Sequence, residues 1–219
     1  MQFAPQVLPS PKLAYTGNIY LHPSDYQQLL ANSRDKSNLM VSVKGFVWKA
    51  EAHDQVAQGH FGAGKFHREM LELSKMDKVS ITAASVKEVN PLGEVSLLID
   101  TQITDKNHPF MEWDDNGSTL KLDEAMIAKE VCKVFAGKFI NRKERFVVPL
   151  YDNKCMVVVS VENIAPINVK NYQSYGIIVA TEGEEETDIL CKARNPKQLK
   201  INSTRIKEKQ VFKKDVNFQ

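Results

Sequence analysis

Cysteine is scarce in this sequence. Only Cys132, Cys155 and Cys191 occur in 219 residues, an odd number with no CxxC spacing. A disulfide-stapled scaffold needs dense, paired cysteines, so these thiols read as reduced and buried. An excess of charge of one sign is also missing. Lysine and arginine number 29 against 27 acids, a formal net charge of +2. No global field therefore draws the chain to nucleic acid or to a membrane surface, and an electrostatic partner has to be met by local patches. No apolar run approaches the roughly 18 residues a membrane span requires. The opening MQFAPQVLPSPK has no basic residue followed by an apolar run, which argues against a signal peptide. GxSxG and HExxH do not occur, and no internal repeat is visible.

What is present is an ordinary globular composition, 42% hydrophobic and 26% charged, which excludes disorder. The length suits one large or two small domains, and a chain of this size buries roughly 70% of its unfolded surface without cross-links. Residues 1–11 carry Pro5, Pro9 and Pro11 and read as a flexible leader. Leu13–Leu21 is β-prone around a Gly17-Asn18 turn. Ser24 would cap a short helix over residues 25–30. Short β-type runs follow at Leu39–Val43, Phe46–Trp48 and Val79–Ala83, a pattern that suggests a compact barrel or sandwich.

Asn90-Pro91-Leu92-Gly93 is the clearest internal boundary. Beyond it, Val95–Ile99 reads as a buried strand and residues 105–118 as a polar loop with Phe110 and Trp113 exposed. Ile127, Val131, Val134 and Phe135 recur at helical spacing between Asp123 and Lys138, with Gly137 as the stop. Phe146–Tyr151 and Cys155–Val161 are strong strands joined by a tight Asp152-Asn153-Lys154 turn. Tyr175–Ala180 and Thr187–Cys191 are two more, flanking the acidic stretch 182–186. From Lys192 onward nine basic residues face two acids, Glu208 and Asp215, as in a solvated or linker-like terminus.

Two segments imitate a nucleotide site. Gly59–Lys65 fits GxxxxGK, and Leu97–Asp100 resembles an apolar strand ending in a metal-holding aspartate. A working P-loop places Ser or Thr after the lysine to ligate magnesium; here Phe66 stands there, and polar HDQVAQ precedes where a buried strand is needed. No nucleotide site is expected. His53, His60 and His67 recur every seven residues, but glycines interrupt any shared helix, so no metal site is expected either. Asp114 and Asp115 read as solvated charge. Several strands without a convergent polar constellation point to a binding module that is not itself an enzyme.

The order of segments is similar to a known family. NIYLHPSDY, VWKAEAHDQVAQGHFGAGKFHREMLELSKMDKVSITAA, EVSLLIDTQ, MIAKEVCKVFAGKFI, FVVPLYDNKCMVVVSVENI and YGIIVATEG resemble, in order, the amino-terminal domain of the N-ethylmaleimide-sensitive fusion protein family. The resemblance spans roughly residues 12–219. It implies a mixed α/β fold: a double-psi β-barrel subdomain over 12–86, a linker at 87–92, and an α/β (α+β roll) subdomain over 93–204. Residues 205–219 would be a basic linker toward a missing ATPase domain.

The function implied is recruitment of α-SNAP adaptors bound to SNARE complexes during vesicle fusion and protein transport. ATP and magnesium would act in separate ring domains of a homohexameric AAA+ parent, and this piece would be monomeric, without cofactor, catalytic residue, nucleic-acid partner or membrane insertion. The setting implied is cytoplasmic, peripheral to transport vesicles and Golgi-type membranes. The family grips its acidic adaptor through basic side chains, which fall here on Arg68 with Lys65 beside it, on Lys106 next to Asp105, and on Lys12. Alternatives are an amino-terminal domain like that of valosin-containing protein, binding ubiquitin-linked cofactors, and a stand-alone NTPase using the 59–65 loop.

Overall fold

In the computed structural model the described residues are 1–74, 76–84, 91–102, 112–117, 119–151, 155–167, 174–179 and 187–203. The chain starts with a strand, β1 (Gln2–Val7), in place of the expected leader. Phe3 is fully buried in the barrel core, which is why this proline-bearing segment is held. Pro5 is tolerated because β1 changes neighbour along its length. Gln2 and Phe3 pair with β6 (Val79–Ala83), and Ala4 to Val7 pair with β5 (His60–Ala63), so Pro5 needs a partner on one side only.

Pro11–Tyr15 forms a 3-10 turn, so of the β-prone residues on either side of Gly17-Asn18 only Ile19–Leu21 are extended, as β2. Helix α1 (Pro23–Ala31) begins earlier than expected. Pro23 occupies its first position, where a preset φ and a missing N–H suit it, and the His22 ring, not Ser24, caps it by accepting from the Ser24 amide at 3.2 Å. Strands β3 (Met40–Val43) and β4 (Phe46–Ala52) form a hairpin. Its two central residues, Lys44 and Gly45, have φ of 48° and 87°, the positive values a primed turn demands. Helix α2 (Lys65–Met70) follows β5.

The six strands close into a barrel in the order β1-β5-β2-β4-β3-β6. The β1–β5 and β2–β4 pairs are parallel and the others antiparallel. Phe3, Ile19, Leu21, Val41, Val43, Trp48, Phe61 and Ile81 fill it.

A second apolar cluster is built from later residues, Leu92 to Leu199. Leu92 lies inside the expected 87–92 linker, yet it is buried and opens β7 (Leu92–Gln102); residues 85–90 lie outside the described set. The other elements are β8 (Glu112–Trp113), β9 (Leu120–Asp123), α3 (Glu124–Phe135), β10 (Phe139–Asn141), β11 (Arg145–Leu150), β12 (Cys155–Pro166), β13 (Tyr175–Ile177), β14 (Asp188–Ala193) and β15 (Leu199–Asn202). They make a four-stranded sheet, β11-β12-β7-β14, a three-stranded sheet, β15-β9-β8, and the pair β10-β13. Asp123 caps α3 by accepting from the Ala125 amide, and Ile127, Val131 and Phe135 turn its apolar stripe into this cluster. Trp113, expected to be exposed, is partly buried against the same cluster, because β8 and β9 anchor the end of that loop.

The molecule is thus mixed α/β, with a closed six-stranded β-barrel and few helices. Among the described residues no helix is long and apolar enough to cross a membrane. Phe110, the acidic 182–186 run and the whole 205–219 segment lie outside the described residues.

Candidate functional site, a groove between barrel and sheet

The GxxxxGK spacing is laid out as barrel structure. His60 to Ala63 form β5, paired to β1 on one side and β2 on the other, so this backbone is committed to ladders instead of looping round a phosphate. Asp25 of α1 accepts from the Gly59 amide at 2.7 Å and fixes the entry to the strand. A side chain at Gly62 would stand 3.3 Å from Tyr20 Cβ and Val56 Cγ2, so close packing against the barrel accounts for that glycine.

The seven-residue histidine series falls into three environments. The His53 ring meets Tyr20 edge-on at 5.9 Å, His60 opens β5, and His67 is buried against Trp48 at 4.9 Å between ring centres. Burial pulls the His67 imidazole down to a pKa of about 4, so it is neutral near pH 7.

Lys65 and Arg68 sit on α2. Lys65 opens the helix, is largely exposed, and lies 3.7 Å from Glu69 one turn on. Arg68 is half-buried, and its Nε is enclosed without a hydrogen-bond partner. The hollow beside them is lined by Lys65, Arg68, Glu69, Glu72 and Asp77, so charge of both signs is interleaved there and the face is not a continuous positive patch. Lys44 adds a further cation, held by the Leu71 carbonyl at 2.7 Å. Lys12 is exposed on the 3-10 turn. Lys106 lies outside the described residues.

The 3-10 turn and the start of α2 form one wall of a groove of about 330 Å³, and strands β11 and β12 form the other. Pro11, Ala14, Phe66, Phe146, Val147 and Met156 make its surface largely apolar, with Lys65 and Arg145 beside them. Arg145 is the residue that sequence reasoning missed. Its guanidinium lies over the Phe66 ring, 4.5 Å from the centroid, and 3.3 Å from Glu69. Its backbone amide donates to Met70 Sδ at 3.2 Å. The available signal was its place at the head of an alternating strand: Arg145 and Val147 point away from the sheet core that Val148 and Leu150 fill. The groove therefore brings Lys65 and the turn bearing Lys12 together with Arg145, while Arg68 faces the neighbouring mixed-charge hollow.

Behind the groove the two cores are joined by buried polar contacts. Strand β2 covers β4 only from Ala50 to Ala52. At Val47 the Asn141 side chain takes up the backbone instead: its Oδ1 accepts from the Val47 amide at 2.8 Å and its Nδ2 donates to the Val47 carbonyl at 2.9 Å. The fully buried Glu144 accepts from Trp48 Nε1 at 2.8 Å, and its other oxygen accepts from the amide and the side chain of Asn141, both at 2.8 Å. Burial raises its pKa to about 7, against the opposing pull of these donors and of Lys138. Lys138 reaches across to donate to the Thr16 carbonyl at 2.5 Å, and burial lowers its pKa.

No known protein family and no curated protein matches the chain.

Proposed function

We propose that this chain acts by recruitment, as the adaptor-binding amino-terminal domain of a SNARE-disassembling AAA+ ATPase of the N-ethylmaleimide-sensitive fusion protein type. Its ligand on this reading is an acidic α-SNAP-type adaptor carried on a SNARE bundle. The barrel is read as a double-psi barrel, which its six strands and two parallel pairs support, and the later residues as an α+β roll. The observation that carries the reading is the groove between barrel and sheet, apolar within and bordered by Lys65 and Arg145. Such a surface offers an acidic protein both apolar area and cations.

The mixed charges around Arg68 set the scale. Lys65 and Arg145 already share Glu69, so each cation gives up a partner when an adaptor carboxylate arrives. Exposed ion pairs contribute ~0–1 kcal/mol each, so a single domain binds weakly and salt-sensitively. Six copies on a ring would raise avidity by ~10²–10⁴ where the geometry lets them engage together.

The test is binding of the chain to an immobilised α-SNAP–SNARE complex across a salt series. Lys65→Glu, Arg68→Glu and Arg145→Glu are each expected to weaken it about two- to fivefold, the thermal melt staying in place for the exposed Lys65 and falling for the half-buried Arg68 and Arg145, so binding is compared at a temperature where all three variants remain folded. Affinity that ignores both salt and all three reversals would refute the reading. Tight binding of a ubiquitin-linked cofactor in its place would assign the groove to another class of adaptor.

A further inference from the structure

We propose that the Asn141–Glu144 turn is a proton-sensitive latch that holds the later sheets against the barrel. The geometry is that of a docking device. Asn141 imitates a neighbouring strand for one residue of β4, and Glu144 ties the same turn to the barrel's central tryptophan. The turn is drawn tight on itself: the Glu144 amide donates to the Asn141 carbonyl at 3.1 Å, and Lys143 takes a positive φ of 67°. It is tied to its own sheet by the Val161 amide donating to the Glu144 carbonyl at 2.8 Å. A movement of one core relative to the other must therefore break the Asn141–Val47 and Glu144–Trp48 bonds together.

The device is sensitive to protons because three N–H donors converge on a carboxyl group that has no access to water. The donors favour the anion and burial opposes it, and the balance lies at about 7. In an opened state the carboxylate would be hydrated and titrate near its ordinary value of 4.5. The closed form therefore binds the proton more tightly, and opening becomes more favourable as pH rises from 4.5 to about 7, after which it levels off.

Other charged groups surround the carboxyl. Lys138 stands on the turn after α3, and Lys49 and Glu51 of β4 act on Lys138 in opposite senses. His67 of α2 packs against the ring of Trp48. Arg142 and Lys143 of the turn are solvent-exposed, and Arg145 is turned to Glu69 and Phe66. The latch does not rest on the adaptor reading, since its bonds and its readouts lie within the chain.

Solution NMR of the whole chain between pH 5 and 9 tests it. The Trp48 indole N–H resonance is expected to titrate with a midpoint near 7. Protection of the Val47 amide, corrected for intrinsic exchange, is expected to fall by about fortyfold from pH 5 to 7. Glu144→Gln should flatten both curves. Lys138→Met, which removes a cation that favours the anion, should move the midpoint upward, and it serves if Glu144→Gln does not fold. A flat indole resonance in the unaltered chain, an unchanged midpoint in Glu144→Gln, or an unmoved midpoint in Lys138→Met would each overturn the proposal.

Discussion

His67 and Glu144 both touch Trp48, and burial shifts them in directions that oppose each other in the stability of the fold. His67 falls from 6.5 to about 4, so its contribution is fully present above 6.5 and is lost as pH drops through about 4. At 1.36 kcal/mol for each tenfold change in proton affinity, the loss is about 3 kcal/mol. Glu144 rises from 4.5 to about 7, so its contribution is fully present below 4.5 and is lost as pH climbs through about 7, again by about 3 kcal/mol. Between 4.5 and 6.5 the two slopes cancel.

The perturbation is therefore one variant of each, His67→Phe and Glu144→Gln, with unfolding free energy measured by urea denaturation at half-unit steps from pH 4.5 to 7.5. The unaltered chain should be nearly flat apart from its surface carboxylates. His67→Phe should lose about 3 kcal/mol as pH rises, and Glu144→Gln should gain about as much. Any constant cost of repacking displaces a curve without tilting it, and the surface carboxylates are common to all three proteins. Curves for His67→Phe and the unaltered chain that run parallel would refute the reasoning.

Phe3→Ala is expected to destabilise the chain by about 3–5 kcal/mol, because a fully buried ring of the barrel core is removed; a change within 0.5 kcal/mol in chemical denaturation (~0.5 kcal/mol being typical of surface sites) would return the first residues to the status of a leader. Asn141→Ala leaves the Val47 amide and carbonyl without their buried partner and should cost about 2–4 kcal/mol. The same variant should speed exchange of the Val47 amide while leaving the Trp48 amide, which faces Val41 of β3, protected, which hydrogen exchange can read.

Local pattern made several elements legible. Val79–Ala83 was readable from β-branched alternation, and α3 from Ile127, Val131 and Phe135 with Asp123 as its cap, since both signals lie within a few residues. The β11–β12 hairpin followed from two strong apolar runs close together in the chain. The first strand was missed because three prolines in eleven residues are a local argument against pairing. The pairing that holds the Pro5 segment comes from β5 and β6, far along the chain. Arg145 was missed for a related reason: nothing near it in sequence announces Phe66 and Glu69, which a separate core brings to it. Lys65 and Arg68 were expected to share a basic patch, and the structure does put them on one short helix, but the acids around them interleave negative charge that their own segment does not announce.

The sequence by itself determined the mixed composition of short strands and one long amphipathic helix, and the phenylalanine where a phosphate loop would need a hydroxyl. These are properties of neighbours along the chain, and the spacing of side chains on a strand or helix records them. Only the tertiary structure decided that β1 closes the barrel, that Arg145 faces Lys65 across a groove, and that Glu144 is buried against Trp48. Those outcomes depend on which distant segments share a boundary from which water is excluded, and burial there, not residue type, sets both the pairing and the protonation.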